Sequence, residues 1–256
     1  MPAHDLDLLL TAAREAGAIA CRHWRHDPKV WEKGTDGPVS EADFEVDAYL
    51  RETLRAARPD YGWLSEETPD DPSQRAAARV FVVDPIDGTR AFIGGEATWA
   101  HSLAVVENGR PVAGVVHLPA RNKTYAAALG RGATLNGTAL RASDRDEIAG
   151  STFLAARASF EPQHWKGPVP QVDRAFRPSL AYRLALVAEG RYDGMLTLRP
   201  TWEWDVAAGA LIATEAGAAV SDRRGRPLVF NAPDPRLDGV LVAGPRLHAQ
   251  VSARMS

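Results

Sequence analysis

The sequence predicts a mixed α/β protein built in two parts that meet near residue 140, and three observations point there. Apolar residues recur at three- and four-residue steps near the N-terminus, as on a helix. Between 101 and 130, short apolar runs are separated by turn residues, as in an antiparallel sheet. Beyond 150, strand-like and helix-like stretches take turns.

Residues 5–24 carry Leu6, Leu9, Leu10, Ala13, Gly17 and Ala20 along one helical stripe, with Asp5 as a cap. WEKGTDGPVS then packs Gly34, Gly37 and Pro38 into one stretch and reads as a mobile loop or a hairpin. Ser40 followed by Asp43 has the spacing of a capping box. The helix after it offers Phe44, Val46, Ala48, Leu50 and Leu54 for burial and stops at Pro59. YGWLSEE is a short strand, and DPSQRAAAR a helical or irregular link. VFVVDPIDGTRAF opens as a continuous apolar run, the pattern of a buried strand, and ends in a Pro/Gly turn. ENGR between HSLAVV and PVAGVV, and later LNGT, mark tight turns. In the second half TFLAAR reads as a strand, PSLAYRLALVAEG as a helix, YDGMLTL as a strand, WDVAAGALIATEAGA as a helix and AAVSD as the last strand.

Composition narrows the function classes. Apolar residues make up 45% and charged residues 25%, an ordinary globular balance that supports a sizeable core. The net charge of −3 leaves no basic footprint for a nucleic-acid polymer or an anionic membrane. Cys21 is the only cysteine, and the N-terminus has no charged-then-apolar leader, so a cytoplasmic protein is expected. Cys21, His23 and His26 lie close in sequence, but on a helix they face different sides and read as a solvated surface.

Four acids stand where strands end or helices begin: Glu66, Asp84, Asp87 and Asp205. Carboxylates are hard oxygen ligands that favour magnesium, manganese or calcium over zinc. In DPIDGT, Pro85 stiffens a turn flanked by Asp84 and Asp87. Gly88 and Thr89 supply backbone N–H groups of the kind that hold phosphate. His101 and His117 read as ordinary sheet residues, Trp202 and Trp204 as packing around a helix start, and Glu67 as either a surface partner or a functional acid.

FVVDPIDGTRAF resembles the first signature of the inositol monophosphatase family, and Trp204–Ala218 its second; LSEE at 64–67 and PVSEAD at 38–43 resemble two shorter family elements in the right order. The resemblance runs over essentially the full length. It implies a layered αβαβα sandwich like that of fructose-1,6-bisphosphatase. Residues 1–140 would form an α+β subdomain with most metal ligands, and 141–256 an α/β subdomain supplying Asp205. It further implies a magnesium-dependent phosphomonoester hydrolase with two or three ions. One ion falls to Glu66, Asp84 and the Ile86 carbonyl, a second to Asp84, Asp87 and Asp205, and a third, mostly hydrated, lies near Glu66. Asp43 with Thr89 matches the pair that orients and deprotonates the attacking water, Gly88 and Thr89 the phosphate-holding amides, and Lys33 the loop that closes over the site. Two cations about 4 Å apart stabilise both attacking and leaving oxygens of such a displacement, so no Ser/His or Cys/His nucleophile is needed.

For the substrate, the family resemblance leaves inositol monophosphates, 3′(2′),5′-bisphosphate nucleotides, histidinol phosphate and sugar bisphosphates. Inositol-specific members carry a Glu seven residues before the acid matching Asp205. Here that position is Leu198, followed by Arg199. Arg183 stands where nucleotidase relatives carry Lys, so that it meets a second phosphate. These features favour adenosine 3′,5′-bisphosphate, with inositol monophosphate as the alternative. A non-catalytic RNA-polymerase-associated role is the alternative of another class. Lithium inhibition and a homodimer are also implied by the resemblance.

Overall fold

The computed structural model describes residues 2–34 and 37–256. Met1, Thr35 and Asp36 lie outside the described residues. The chain opens with α1 (Pro2–His23), a short hairpin β1 (Val30–Glu32) and β2 (Pro38–Ser40), and α2 (Glu41–Ala57). Next come β3 (Gly62–Ser65), α3 (Pro72–Arg75), β4 (Arg79–Asp87) and α4 (Thr89–Ile93). The meander β5 (Ala100–Glu107), β6 (Arg110–Leu118), β7 (Lys123–Ala128), β8 (Ala133–Leu135) and β9 (Thr138–Ala139) completes a seven-stranded sheet in the order β3 to β9. Its two Asn-Gly turns have positive φ at both residues, Asn108–Gly109 and Asn136–Gly137, which is the geometry that matches strand twist.

The second half contributes β10 (Thr152–Ala155), β11 (Asp173–Ala175), α5 (Leu180–Ala188), β12 (Gly194–Thr197), β13 (Thr201–Trp202) and α6 (Glu203–Glu215). It closes with β14 (Ala219–Ser221), β15 (Arg236–Leu237), β16 (Val240–Ala243) and α7 (Pro245–Arg254). Here the five-stranded sheet has the order β11-β10-β12-β16-β14.

Alternation along the strands stacks these elements into five layers. Phe81 and Val83 of β4 pack with Leu9, Ala13, Val46 and Leu50 of α1 and α2, whereas Val80 and Val82 pack with α5 and α6. The five-stranded sheet repeats the division. Leu154, Met195 and Val242 face α5 and α6, and Phe153, Leu196 and Leu241 face Leu247 and Val251 of α7. This is the αβαβα sandwich that the sequence implies.

Three local expectations change. Asp5 lies inside the first turn of α1 and, instead of capping its start, accepts from Arg58 and Tyr61. Phe44 and Ala48 point outward: the buried stripe of α2 is Ala42, Asp43, Val46, Asp47, Leu50 and Leu54, and residues 44 and 48 sit together on the opposite side. The strand at Ala219–Ser221 is an edge and not the last one. β16 follows it, pairs with both β12 and β14, and is covered by α7.

Candidate active site

The site forms where β4 ends against the starts of α5 and α6. In a regular strand, residues three apart point to opposite faces. Asp84 pairs with Ser102 but Asp87 with Ala100, so three steps on β4 oppose two on β5. This bulge turns Asp84 and Asp87 to one face, towards α6, and sends the Ile86 side chain into the α1/α2 core. His101 of β5 donates from Nδ1 to the Pro85 carbonyl within the bulge. Gly88 then takes a left-handed conformation with φ 95°, and its neighbours Ser179 and the Thr98 carbonyl stand 3.4 Å from where a Cβ would lie.

Asp205 arrives from the opposite side, in the first turn of α6, where the helix dipole favours a carboxylate. Small residues let α6 come close. The Ala208 backbone lies against Gly114 of β6, and Gly209 meets Leu184 of α5. Ser102 donates to the Trp204 carbonyl at 2.7 Å, and Glu203 accepts from the backbone N–H groups of Asn231 and Ala232, fixing the helix start.

Oxygens of Asp84, Asp87 and Asp205 come within 4.8 Å of one another. Burial first, then the neighbouring carboxylates, push the Asp84 and Asp205 carboxyls well above the usual range. Asp87 is raised by burial, although Ser179 Oγ and the Ala181 N–H, both at 2.6 Å, support its charged form from the N-terminus of α5. Asp84 Oδ1 is buried with no hydrogen-bond partner. Crowded acids and an orphaned carboxylate oxygen are what a hard divalent cation would satisfy, so these residues fit a metal ion.

The other acids lie around this cluster. Lys33 pairs with Glu66 at 3.5 Å and with Glu67, and Glu67 is pushed up to about 7, chiefly by burial. Asp43 accepts from Ser40 N–H and Oγ at 2.8 and 2.6 Å, and Thr89 Oγ1 lies 3.3 Å from its other oxygen and 3.1 Å from the Ile86 carbonyl. Burial raises Asp43 to about 6, so it can exchange a proton near neutral pH. A cavity of about 400 Å³ collects Lys33, Glu66, Asp84, Ile86, Asp87, Gly88, Thr89 and Asp205, together with Arg90, Arg199, Trp202 and Trp204.

Arg183 lies apart from that cavity. It is buried, donates to the carbonyls of Arg177 and Pro178, and stacks over Phe176 at 4.2 Å; burial lowers it to about 10. Trp202 and Trp204, read from sequence as packing, stack at 4.7 Å on the cavity wall. The supporting parts missed in the sequence are Ser179 and His101. Ser179 had one signal, its place as the N-cap of α5; His101 had none, because its role depends on the neighbouring strand.

The inositol monophosphatase family matches residues 3–255. The chain belongs to the inositol monophosphatase family. Its enzyme class is accordingly that of a phosphatase. Among its relatives, the Escherichia coli protein called Nus factor SuhB is 33% identical over 98% of this chain and 95% of its own length. An inositol-1-monophosphatase of Rhizobium meliloti is 35% identical over 86% of each. The Thermotoga maritima IMPase structure superposes with a TM-score of 0.83 at 29% identity, covering 98% of this chain and 96% of that one. Within the described residues, no helix is long and apolar enough to cross a membrane.

Proposed function

We propose that this chain is a magnesium-dependent phosphomonoesterase that prefers adenosine 3′,5′-bisphosphate or a close analogue. The observation that carries the reading is a buried, all-oxygen acid cluster set beside an arginine-lined cavity. Glu66, Asp84 and the Ile86 carbonyl would hold one ion, and Asp84, Asp87 and Asp205 another. Bound magnesium supplies charge neutralisation for the phosphoryl oxygens. The chain itself supplies the proton chemistry: Thr89 Oγ1 stands between the cluster and Asp43, whose raised pKa suits it to accept a proton through that hydroxyl. Gly88 and Thr89 offer backbone amides to phosphate, and Lys33 adds a cation at the rim.

Leu198 and the arginines near it support a substrate with a second anionic group over a neutral polyol. The named activity of the Rhizobium meliloti relative favours a second reading, inositol monophosphate. The Nus factor name of another relative raises a binding role in transcription complexes. The proposal also includes lithium inhibition and a homodimer, on family resemblance.

Phosphate release with magnesium, from adenosine 3′,5′-bisphosphate and inositol 1-phosphate in parallel, separates these. A tenfold or greater kcat/KM preference for the bisphosphate is expected. The opposite preference overturns the substrate assignment, and no release from either overturns both substrate readings.

A further inference from the structure

A second cavity of about 540 Å³ adjoins the acid-lined one, and Arg90 and Arg199 border both. Its wall includes Arg183, Phe176, His164 and Leu198. Three arginines therefore line one small space. Among the described residues, the side chains of Arg90 and Arg199 have neither a hydrogen-bond nor an ion-pair partner. Arg183 differs: two of its nitrogens are committed to the Arg177 and Pro178 carbonyls, and its plane lies on Phe176.

Electrostatics gives the cavity a purpose. The acid cluster now offsets part of the arginine charge, since Asp205 is within reach of Arg199, and Asp87 and Asp205 of Arg183. When a cation neutralises the acids, that offset goes and the arginines need an anion. Guanidinium groups suit a phosphate because their planar forks match its oxygens.

We propose that Arg199 and Arg90 form a second anion subsite that holds the distal phosphate of a bisphosphate substrate, with Arg183 as a buried positioning residue. Arg183 braces the Arg177–Pro178 segment ahead of α5, and so the cavity wall, while its fixed charge adds to the field. The subsite rests on the phosphomonoesterase reading above and assigns the second phosphate to residues other than Arg183 alone.

The test compares adenosine 3′,5′-bisphosphate with adenosine 3′-monophosphate, which differ only in the distal phosphate. The wild type should favour the bisphosphate, and Arg199→Ala and Arg90→Ala should each cut that preference about tenfold or more, mainly through KM. Arg199→Lys should retain part of it. Arg183→Ala should lower both the preference and Tm, whereas Arg199→Ala lowers only the preference. Binding of adenosine 5′-monophosphate and of adenosine is also measured by calorimetry without magnesium, when the acid cluster repels phosphate. Tighter binding of the nucleotide, weakened by Arg199→Ala, is expected. Equal binding of the two, or an unchanged substrate preference in both single-arginine variants, overturns the subsite while leaving the phosphatase intact. If neither ester is hydrolysed, the nucleotidase reading fails and the calorimetry alone decides the subsite.

Discussion

His101 on β5 donates its Nδ1 proton to the carbonyl of Pro85, inside the bulge that brings Asp84 and Asp87 to one face. Burial and the adjacent His117 push the imidazole down to about 3, so the ring stays neutral and this tautomer is fixed by its acceptor. His101→Phe keeps a ring of similar size and leaves the Pro85 carbonyl unpaired. The expected cost is about 1–3 kcal/mol in urea unfolding, with weaker magnesium-induced stabilisation. An unchanged unfolding midpoint and an unchanged magnesium response would show that the bulge holds without the ring.

Asp84→Asn removes charge from the most crowded carboxylate. The metal-free chain should be as stable as the wild type or more so, because burial and four neighbouring acids, Glu66, Asp87, Asp205 and Asp43, already disfavour that charge. Phosphate release should fall by more than about 100-fold, the upper figure for loss of a mere outer-shell partner. Wild-type turnover in this variant would refute Asp84 as a ligand.

The pH dependence of metal-free stability has a definite sign. Asp43 is raised to about 6, Glu67 and Glu203 to about 7, each chiefly by burial, and Glu66, Asp84, Asp87 and Asp205 are raised as well. Such groups bind protons in the folded chain that the unfolded chain has released. Their contribution is complete below the unfolded carboxylate values and is lost as pH rises through the folded ones. His101 and His117, lowered by burial to about 3 and about 4, act oppositely: their contribution is present above about 6.5 and lost as pH falls. Thermal melts in chelator should therefore show Tm rising from pH 8 to about 6 and levelling or falling below. Saturating magnesium should flatten the rise, because the cation replaces the protons. A chelated chain whose Tm climbs steadily from pH 6 to 8 would contradict this account.

Gly209 tests how α6 is seated. A Cβ there would stand 2.6 Å from Leu184 Cβ on α5. Gly209→Ala should cost about 1–3 kcal/mol by overpacking, despite the better helix propensity of alanine. Turnover should fall too, since Asp205 rides on the same helix. Stabilisation by this substitution would mean that the two helices separate freely.

What the sequence makes legible is local. The Asn-Gly turns, the α5 and α6 stretches and the acids of DPIDGT and WDVAAG could all be read because each depends on a few adjacent residues. The bulge could not: Asp84 and Asp87 share a face only through their register with Ser102 and Ala100. The strand Val240–Ala243 escaped for a similar reason, as four apolar residues become a central strand only by pairing with β12 and β14. Phe44 was misplaced because the inner stripe of α2 includes Asp43 and Asp47. Ser40 satisfies Asp43, and Ser65 and Thr68 satisfy Asp47, so both acids can be buried. Arg183 was visible as a charge, but its bonds to the Arg177 and Pro178 carbonyls were not.

Asp84 and Asp205 lie more than a hundred residues apart in sequence, and one is carried by a strand and the other by a helix. A divalent ion gripped by both would act as a removable staple across that long loop, opposing separation of α6 from the sheet. Magnesium supply would then set the lifetime of the chain against proteases as well as its turnover, and starvation for the ion would thin the protein's population instead of merely idling it.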